Sequence, residues 1–321
     1  MLIAALGLSC AAAVIVFCGI GKIGFSAKEV LEGLFTDKNE TARLIVRDFR
    51  LVRIIVAGIV GASLALCGAI LQCVMHNSLA SPSTIGVTSG ASLAGHIMLV
   101  AFPGIAYLVP VGAVLGALIT TLFILSIAYR GKAAEIRIIL VGLAISALFG
   151  AANDAIRTFF SARLGNVSGF IVGNLSGVGL RELYILLPAA AVVILLCLTI
   201  PAKLNVLSLG EEESLSLGLN TGALRILLII CTSLISGLAV AVAGLIGFVG
   251  LIVPHAVKLA VGSDYRYILP ASCFAGFLLM VVSDGIGRVI LPAGELPVGI
   301  ILALIGAPFF LYLVVAKKKE A

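Results

Sequence analysis

The sequence predicts an all-α polytopic membrane protein of about ten transmembrane helices with an inverted internal repeat. The first supporting observation is compositional: of 321 residues, 61% are hydrophobic and only 11% charged, less than half the roughly 25% usual in soluble domains. The second is that the mean hydropathy of +1.26 holds along the whole chain, where an anchored soluble protein concentrates it in one tail. The third is a glycine-spaced segment that occurs twice. One membrane domain over residues 1–321 is the expected organisation.

A span needs about 20 mostly apolar residues. That ruler places ten, at 2–20, 51–74, 85–102, 107–129, 136–152, 183–200, 224–242, 245–260, 267–290 and 296–316. The first lacks a basic leader and a cleavage site and reads as a retained helix. Only Ala243 and Gly244 separate the seventh and eighth, which are either two spans with a very tight turn or one kinked segment, and their combined length favours two. With ten crossings both termini share one side, and Lys317, Lys318 and Lys319 assign that side to the cytoplasm. The remaining basic residues do not reinforce the assignment, because seven of the 21 lie between Lys22 and Arg53, outside the membrane in this topology.

The repeat pairs 61–72 (GASLALCGAILQ) with 237–248 (GLAVAVAGLIGF), each with glycines seven apart inside a span that follows an arginine. The copies are five crossings apart and so run in opposite directions, as in inverted-repeat transporters. Glycines elsewhere in the spans, such as Gly112 and Gly116, suit close helix approach in lipid.

Several function classes are excluded. The net charge of +6 is dispersed, which argues against nucleic-acid binding. The seven cysteines (Cys10, Cys18, Cys67, Cys73, Cys197, Cys231 and Cys273) all lie in apolar stretches without metal-ligand spacing, and read as reduced packing residues. Most spans hold no internal carboxylate, unlike ion-coupled carriers. Protease and metalloenzyme motifs are missing, and so is a phosphate-binding loop, so nucleotide-driven transport would require another subunit.

Three regions stand out. The stretch 204–225 (LNVLSLGEEESLSLGLNTGALR) has capping-box spacing at Ser208 and Glu211, three glutamates suited to a helix N-terminus, and Gly218 as a stop. A helix of about two turns, some 12 Å long, would leave Leu215, Leu217 and Leu219 without burial unless a partner supplies a groove. In 244–258, Pro254 deprives the Gly250 carbonyl of its donor and predicts a kink or break, with His255 offering a replacement hydrogen bond. His76, Asn77, Ser81, Pro82 and Ser83 mark a polar break between spans two and three. At the outer ends of spans two and nine stand Arg50 and Arg53, three apart, and Arg288, four residues after Asp284. These read either as interfacial anchors or as a docking patch for an acidic partner, with Arg288 alternatively paired to Asp284.

The chain resembles the FecCD family of ABC-importer permeases, which take up iron-siderophore complexes, haem and cobalamin. The likeness covers 50–312 and lies in RLVR at 50–53, GAILQ at 68–72, NSLASP at 77–82, GFVGLIVPH at 247–255, and ELPVG at 295–299 followed by GAPFF at 306–310. Val52 and Ser78 stand where the family usually has proline, and Lys258 where arginine is frequent. The resemblance implies the type II ABC-importer permease fold in a prokaryotic cytoplasmic (inner) membrane. Its implied partners are a second permease copy (itself or a paralogue), two ATPase subunits that hold the ATP and Mg, and an extracytoplasmic substrate-binding protein. This chain would bind no cofactor and no metal, and would not be an enzyme.

By the same resemblance, Arg50, Arg53 and Arg288 would meet the binding protein. Ser208, Leu209, Gly210, Glu211, Leu215, Leu217 and Gly218 would form the coupling element on the ATPase. Gly142, Ser146, Gly299 and Gly306 would lie along the pathway near the dimer axis, with Asn77, Pro82, Pro254 and His255 as further pathway or gating positions. The implied cargo is a metal chelate, foremost a ferric siderophore, with haem or cobalamin carried by the same machinery as the alternative. From another class, a carrier or channel without ATPase subunits is the competing reading.

Overall fold

The computed structural model describes residues 2–21, 23–36, 40–105, 107–128, 134–160, 172–291 and 294–317, and these residues contain helices and no strand. In chain order the helices are α1 (Leu2–Gly19), α2 (Ala27–Phe35), α3 (Glu40–Val74), α4 (Val87–Ala101), α5 (Leu108–Ala128), α6 (Ala134–Phe159) and α7 (Leu180–Thr199). They continue with α8 (Pro201–Leu207), α9 (Glu211–Ser216), α10 (Thr221–Ala243), α11 (Val249–Val261), α12 (Tyr265–Val289) and α13 (Val298–Lys317). Seven are long and apolar enough to cross a membrane, and shorter apolar helices occupy 87–101, 249–261 and 298–311. Each expected span therefore coincides with one helix. Lys318 and Lys319, on which the sidedness reading leaned, lie outside the described residues, as do Lys22, Arg130 and Lys132.

At the centre is α3. Its 52–74 stretch is apolar on every face and buried nearly throughout, as expected of a helix enclosed by others. Lipid offers no hydrophobic drive between helices, so close approach at small residues takes its place. A Cβ on Gly68 would lie 1.8 Å from the Gly250 carbonyl oxygen of α11, and one on Gly61 2.2 Å from the Gly276 carbonyl oxygen of α12. In both places backbone touches backbone. The Gly90 and Gly116 backbones meet in the same way where α4 crosses α5.

The internal repeat appears in the packing. α3 lies against α11 and α12 as α10 lies against α4 and α5, and α4 packs on α6 as α11 packs on α13. This exchange of partners is a two-fold between the halves, of the inverted kind, because each helix and its counterpart are an odd number of crossings apart. Gly61 and Gly237, aligned in the repeat, occupy equivalent crossings, Gly237 facing Ala117 and Val114 of α5.

Both halves also contain an unwound stretch, 75–86 between α3 and α4 and 244–248 between α10 and α11. Each includes one of the two non-glycine residues with positive φ among those described, His76 (45°) and Phe248 (66°). The expected two-residue turn at Ala243 and Gly244 is thus corrected to five unwound residues. Gly244 ends α10 at φ 72°, and Phe248 inserts its ring into the notch that Gly306 leaves on α13. The break expected at Pro254 lies upstream of it for the same reason, and Pro254 sits inside α11. The Gly250 carbonyl it deprives instead accepts a hydrogen bond from Gln72 Nε2 at 3.4 Å, and the Leu251 carbonyl one at 3.2 Å.

Gly68→Ala should lower stability by about 1–3 kcal/mol through forced helix separation, read as a fall in melting temperature of the detergent-solubilised protein. Gly150→Ala, on an open face of α6 with nothing within 4 Å, should instead gain up to about 1 kcal/mol from helix propensity. Equal effects at the two positions would contradict the packing account.

Candidate functional site: an arginine cleft and a capped helix at opposite ends

At the end where α3 begins, Arg53 holds three elements together. Its Nε and Nη2 donate to Asp284 of α12 at 3.1 and 2.8 Å, and its Nη1 donates to Glu295 Oε2 at 2.8 Å. Glu295 also accepts from Ser176 Oγ at 2.8 Å, which ties in the segment before α7. Arg50 turns toward α1 instead: Nη1 donates to the Cys18 and Gly19 carbonyls at 3.0 and 3.2 Å, Nη2 donates to the Ile23 carbonyl, and the head group lies over the Phe25 ring. Arg50 belongs to a π-wound stretch, Arg43–Leu51. Its partners therefore differ from those of Arg53 although the two are only three residues apart.

Arg288 is 5% exposed. Its Nε is 3.4 Å from Asp284 Oδ2, and none of its nitrogens has a hydrogen-bond acceptor among the described residues. All three arginines line one cleft of about 310 Å³ with Phe49, Gly177 and Glu295. Three cations thus face two carboxylates, which gives the cleft a net positive charge. The sequence reading offered Asp284 as an alternative partner of Arg288, which the 3.4 Å separation bears out, and left Glu295 without a role, although the ELPVG motif was its signal.

At the other end, the chain leaves α7 through Pro201, which starts α8 where no amide donor is needed. Ser208 closes α8, its Oγ donating to the Asn205 carbonyl at 2.7 Å, so the expected capping box with Glu211 is corrected: Gly210, at φ 125°, is the N-cap of α9. α9 has six residues, about 9 Å. Its stop is as expected: Gly218 takes φ 80°, with Gly218 N–H bonded to the Leu215 carbonyl at 2.9 Å and Leu219 N–H to the Ser214 carbonyl at 3.0 Å, a Schellman motif.

Leu209, Leu215 and Leu217 are 59%, 54% and 64% exposed. They form an apolar ridge, whereas Leu219, expected beside them, turns in against the core. The fully buried Ser214 fastens α9 by donating its hydroxyl to the Val206 carbonyl at 2.8 Å. α8 in turn is held to α3 by His76 Nε2 at 3.0 Å from the Leu207 carbonyl, and to α12 by Asn205 Nδ2 donating to Asp264 at 2.8 Å. The Asp264 carboxyl is held well below the usual carboxylate range by Arg266, then by Asn205.

The remaining predicted positions fall between the two ends. Asn77 Oδ1 accepts from Leu79 N–H at 2.8 Å and shapes the first unwound stretch, and Pro82 is buried with its carbonyl accepting from Val87 N–H at 3.1 Å. Pro254 is buried in α11 and His255 is half-buried beside it. Ser146 Oγ accepts from Ser89 Oγ at 3.4 Å, joining α6 to α4. Gly142 lies against the Ile85 backbone, Gly299 against that of Val172, and Gly306 against Phe248. These glycines serve close contacts, while the open faces of α6 and α13 present Leu140, Leu143, Leu304 and Leu311.

All seven cysteines are free, and among the described residues no three His, Cys, Asp or Glu side chains form a metal-binding group. Asp284→Ala should cost about 3–5 kcal/mol, because it leaves the buried Arg288 guanidinium uncompensated and Arg53 with Glu295 as its remaining carboxylate. Glu295→Gln, at a partly exposed rim position, should cost about 1 kcal/mol or less. Thermal unfolding of the two variants in detergent decides whether Asp284 is the anchor of the cleft.

A family profile described as the FecCD transport family matches residues 9–316. The Fe(3+)-citrate import system permease protein YfmE of Bacillus subtilis is 36% identical over 301 residues, covering 93% of this chain and 90% of that one. The vitamin B12 import system permease protein BtuC of Vibrio cholerae is 40% identical over 277 residues, covering 84% and 82%. Among solved structures, an inward-facing ABC transporter described as of the metal-chelate type superposes with a TM-score of 0.87 at 28% identity, covering 98% of both chains. With the two ends, the unwound stretches and the inverted repeat all within the matched region, the chain belongs to the FecCD transport family.

Proposed function

We propose that this chain is the permease subunit of an ATP-driven importer that carries a metal chelate across the cytoplasmic membrane of a prokaryote. A single observation carries the reading. α9 is short, capped at its stop and fastened by a buried serine, yet it presents Leu209, Leu215 and Leu217 to the outside. An apolar ridge on a fixed helix outside the spans is a surface for another protein's groove. In this reading the groove belongs to an ATPase subunit, which binds the ATP and Mg. Two permease copies, two ATPase subunits and a substrate-binding protein complete the assembly.

The α9 end and the C-terminus then lie in the cytoplasm, and the arginine cleft faces the substrate-binding protein. Its net positive charge suits acidic side chains on that partner, with Arg50, Arg53 and Arg288 as the basic groups. The pathway runs between two copies along α6 and α13, whose aliphatic faces suit a bulky, weakly held cargo. A ferric chelate is the leading cargo, in keeping with the ferric-citrate relative, and a corrinoid such as vitamin B12 is the alternative.

Leu215→Asp combined with Leu217→Asp should abolish ATP-driven uptake in proteoliposomes containing the full assembly, while the permease still folds and dimerises. Undiminished uptake by that variant would favour a carrier that works without ATPase subunits. The affinity of the binding protein for the arginine end should fall several-fold as salt rises from about 0.05 to 0.5 M, since the steering charges are screened. Salt-independent affinity would remove the cleft from the docking surface.

A further inference from the structure

One buried charge at the α9 end belongs to neither the ridge nor the fastening of α8. Arg225 lies in the second turn of α10 and is 7% exposed. Its Nη1 is 2.8 Å from Glu135 Oε1, at the start of α6, and 3.6 Å from Glu211 Oε2, the first residue of α9. Its Nε has no acceptor among the described residues, and these two carboxylates are its ion-pair partners there. We propose that Arg225 is the strut that transmits displacement of α9 to α6. This inference rests on the reading of α9 as the ATPase contact.

The connectivity supports the assignment. Beyond its packing on α10, α9 is linked in two directions: Ser214 and α8 lead to α3 and α12 at the packed centre, while Arg225 leads to α6. Within the chain α6 packs on α4 and α5 along one side and leaves most of its surface open, the surface along which the proposed pathway runs between two copies, so a movement of α6 reaches that pathway. Only Leu217, Gly218, Leu219 and Asn220 separate α9 from α10, and a push on α9 reaches the first turns of α10 directly.

Arg225 moves with those turns. Leaving Glu135 behind would take the nearer carboxylate from a buried guanidinium, which is costly. Glu135 is also well placed to be pulled, because a carboxylate in the first turn is favoured by the helix dipole and is thus fixed to the end of α6. The sequence contained a trace of this arrangement in a lone arginine at the start of an apolar span, but its partner lies 90 positions away.

The test uses the assembled transporter in proteoliposomes and reads cargo imported per ATP hydrolysed. Glu135→Asp keeps the charge and shortens the arm by one methylene, and Glu135→Gln removes the charge. Both should assemble and hydrolyse ATP but import about tenfold less cargo per ATP than the parent. A wild-type ratio in both variants overturns the proposal. So does a parallel fall of import and hydrolysis, the mark of a purely structural ion pair. Leu215→Asp with Leu217→Asp in the same assay separates the two levels. If that variant still imports, the reading of α9 fails; if it is inactive while both Glu135 variants keep the parental ratio, the strut alone fails.

Discussion

The structure depends on α3 touching α11 and α12 backbone to backbone at Gly68 and Gly61. No side chain larger than hydrogen fits at either crossing, so the depth and register of α3 are set by these two contacts. Groups attached to α3 are placed by the same contacts. Arg53, one residue into its regular α-helical part, reaches Asp284 on α12. Gln72, near its other end, reaches the Gly250 and Leu251 carbonyls of α11. His76, just beyond, holds α8 and therefore α9. The cleft at one end and the ridge at the other are thus positioned by a single packed helix.

Irregular backbone is costly in a bilayer, and it is tolerated only where protein groups satisfy it. Here it occurs in both halves, related by the two-fold: 75–86 at the α9 end and 244–248 at the arginine end. The first is held by Ser81 N–H bonded to Thr84 Oγ1 at 2.8 Å and by Asn77 N–H bonded to the Gln72 carbonyl at 3.1 Å. The second is held by Asn174 N–H bonded to the Ala243 carbonyl at 3.0 Å and by the ring of Phe248 on Gly306. Because these stretches shorten α4 and α11, the two helices lie inset from opposite faces. Two motifs far apart in the chain, GFVGLIVPH and GAPFF, meet at that ring.

The spans were legible because apolar runs of the right length leave little ambiguity. Most ends shifted by a few residues, while α3 begins at Glu40 and α6 runs on to Phe159 because polar turns continue a helix beyond its apolar run. α9 was legible from its three glutamates and Gly218, which are local signals. Its start was misplaced because Ser208 had a nearer partner in the Asn205 carbonyl, and α8 was missed because Pro201 looked like the end of a span. α2 was missed although Ser26 and Glu29 form the capping box that was sought elsewhere. The pairings of Arg53 with Asp284 and of Arg225 with Glu135 could not be read from spacing, since they join helices far apart in sequence. The glycines assigned to the pathway were visible, but their neighbours were not.

The two ends suit a protein that works between partners: a positive cleft on one side, an apolar ridge on the other, and a fixed core between them. The most direct test of the central claim is native mass spectrometry of the chain gently extracted from its own membrane. The account predicts two permease copies bound to an equal number of nucleotide-binding subunits, with the latter released when the α9 ridge is made acidic. Recovery of a stable chain that imports its cargo with no nucleotide-binding subunit attached would contradict it.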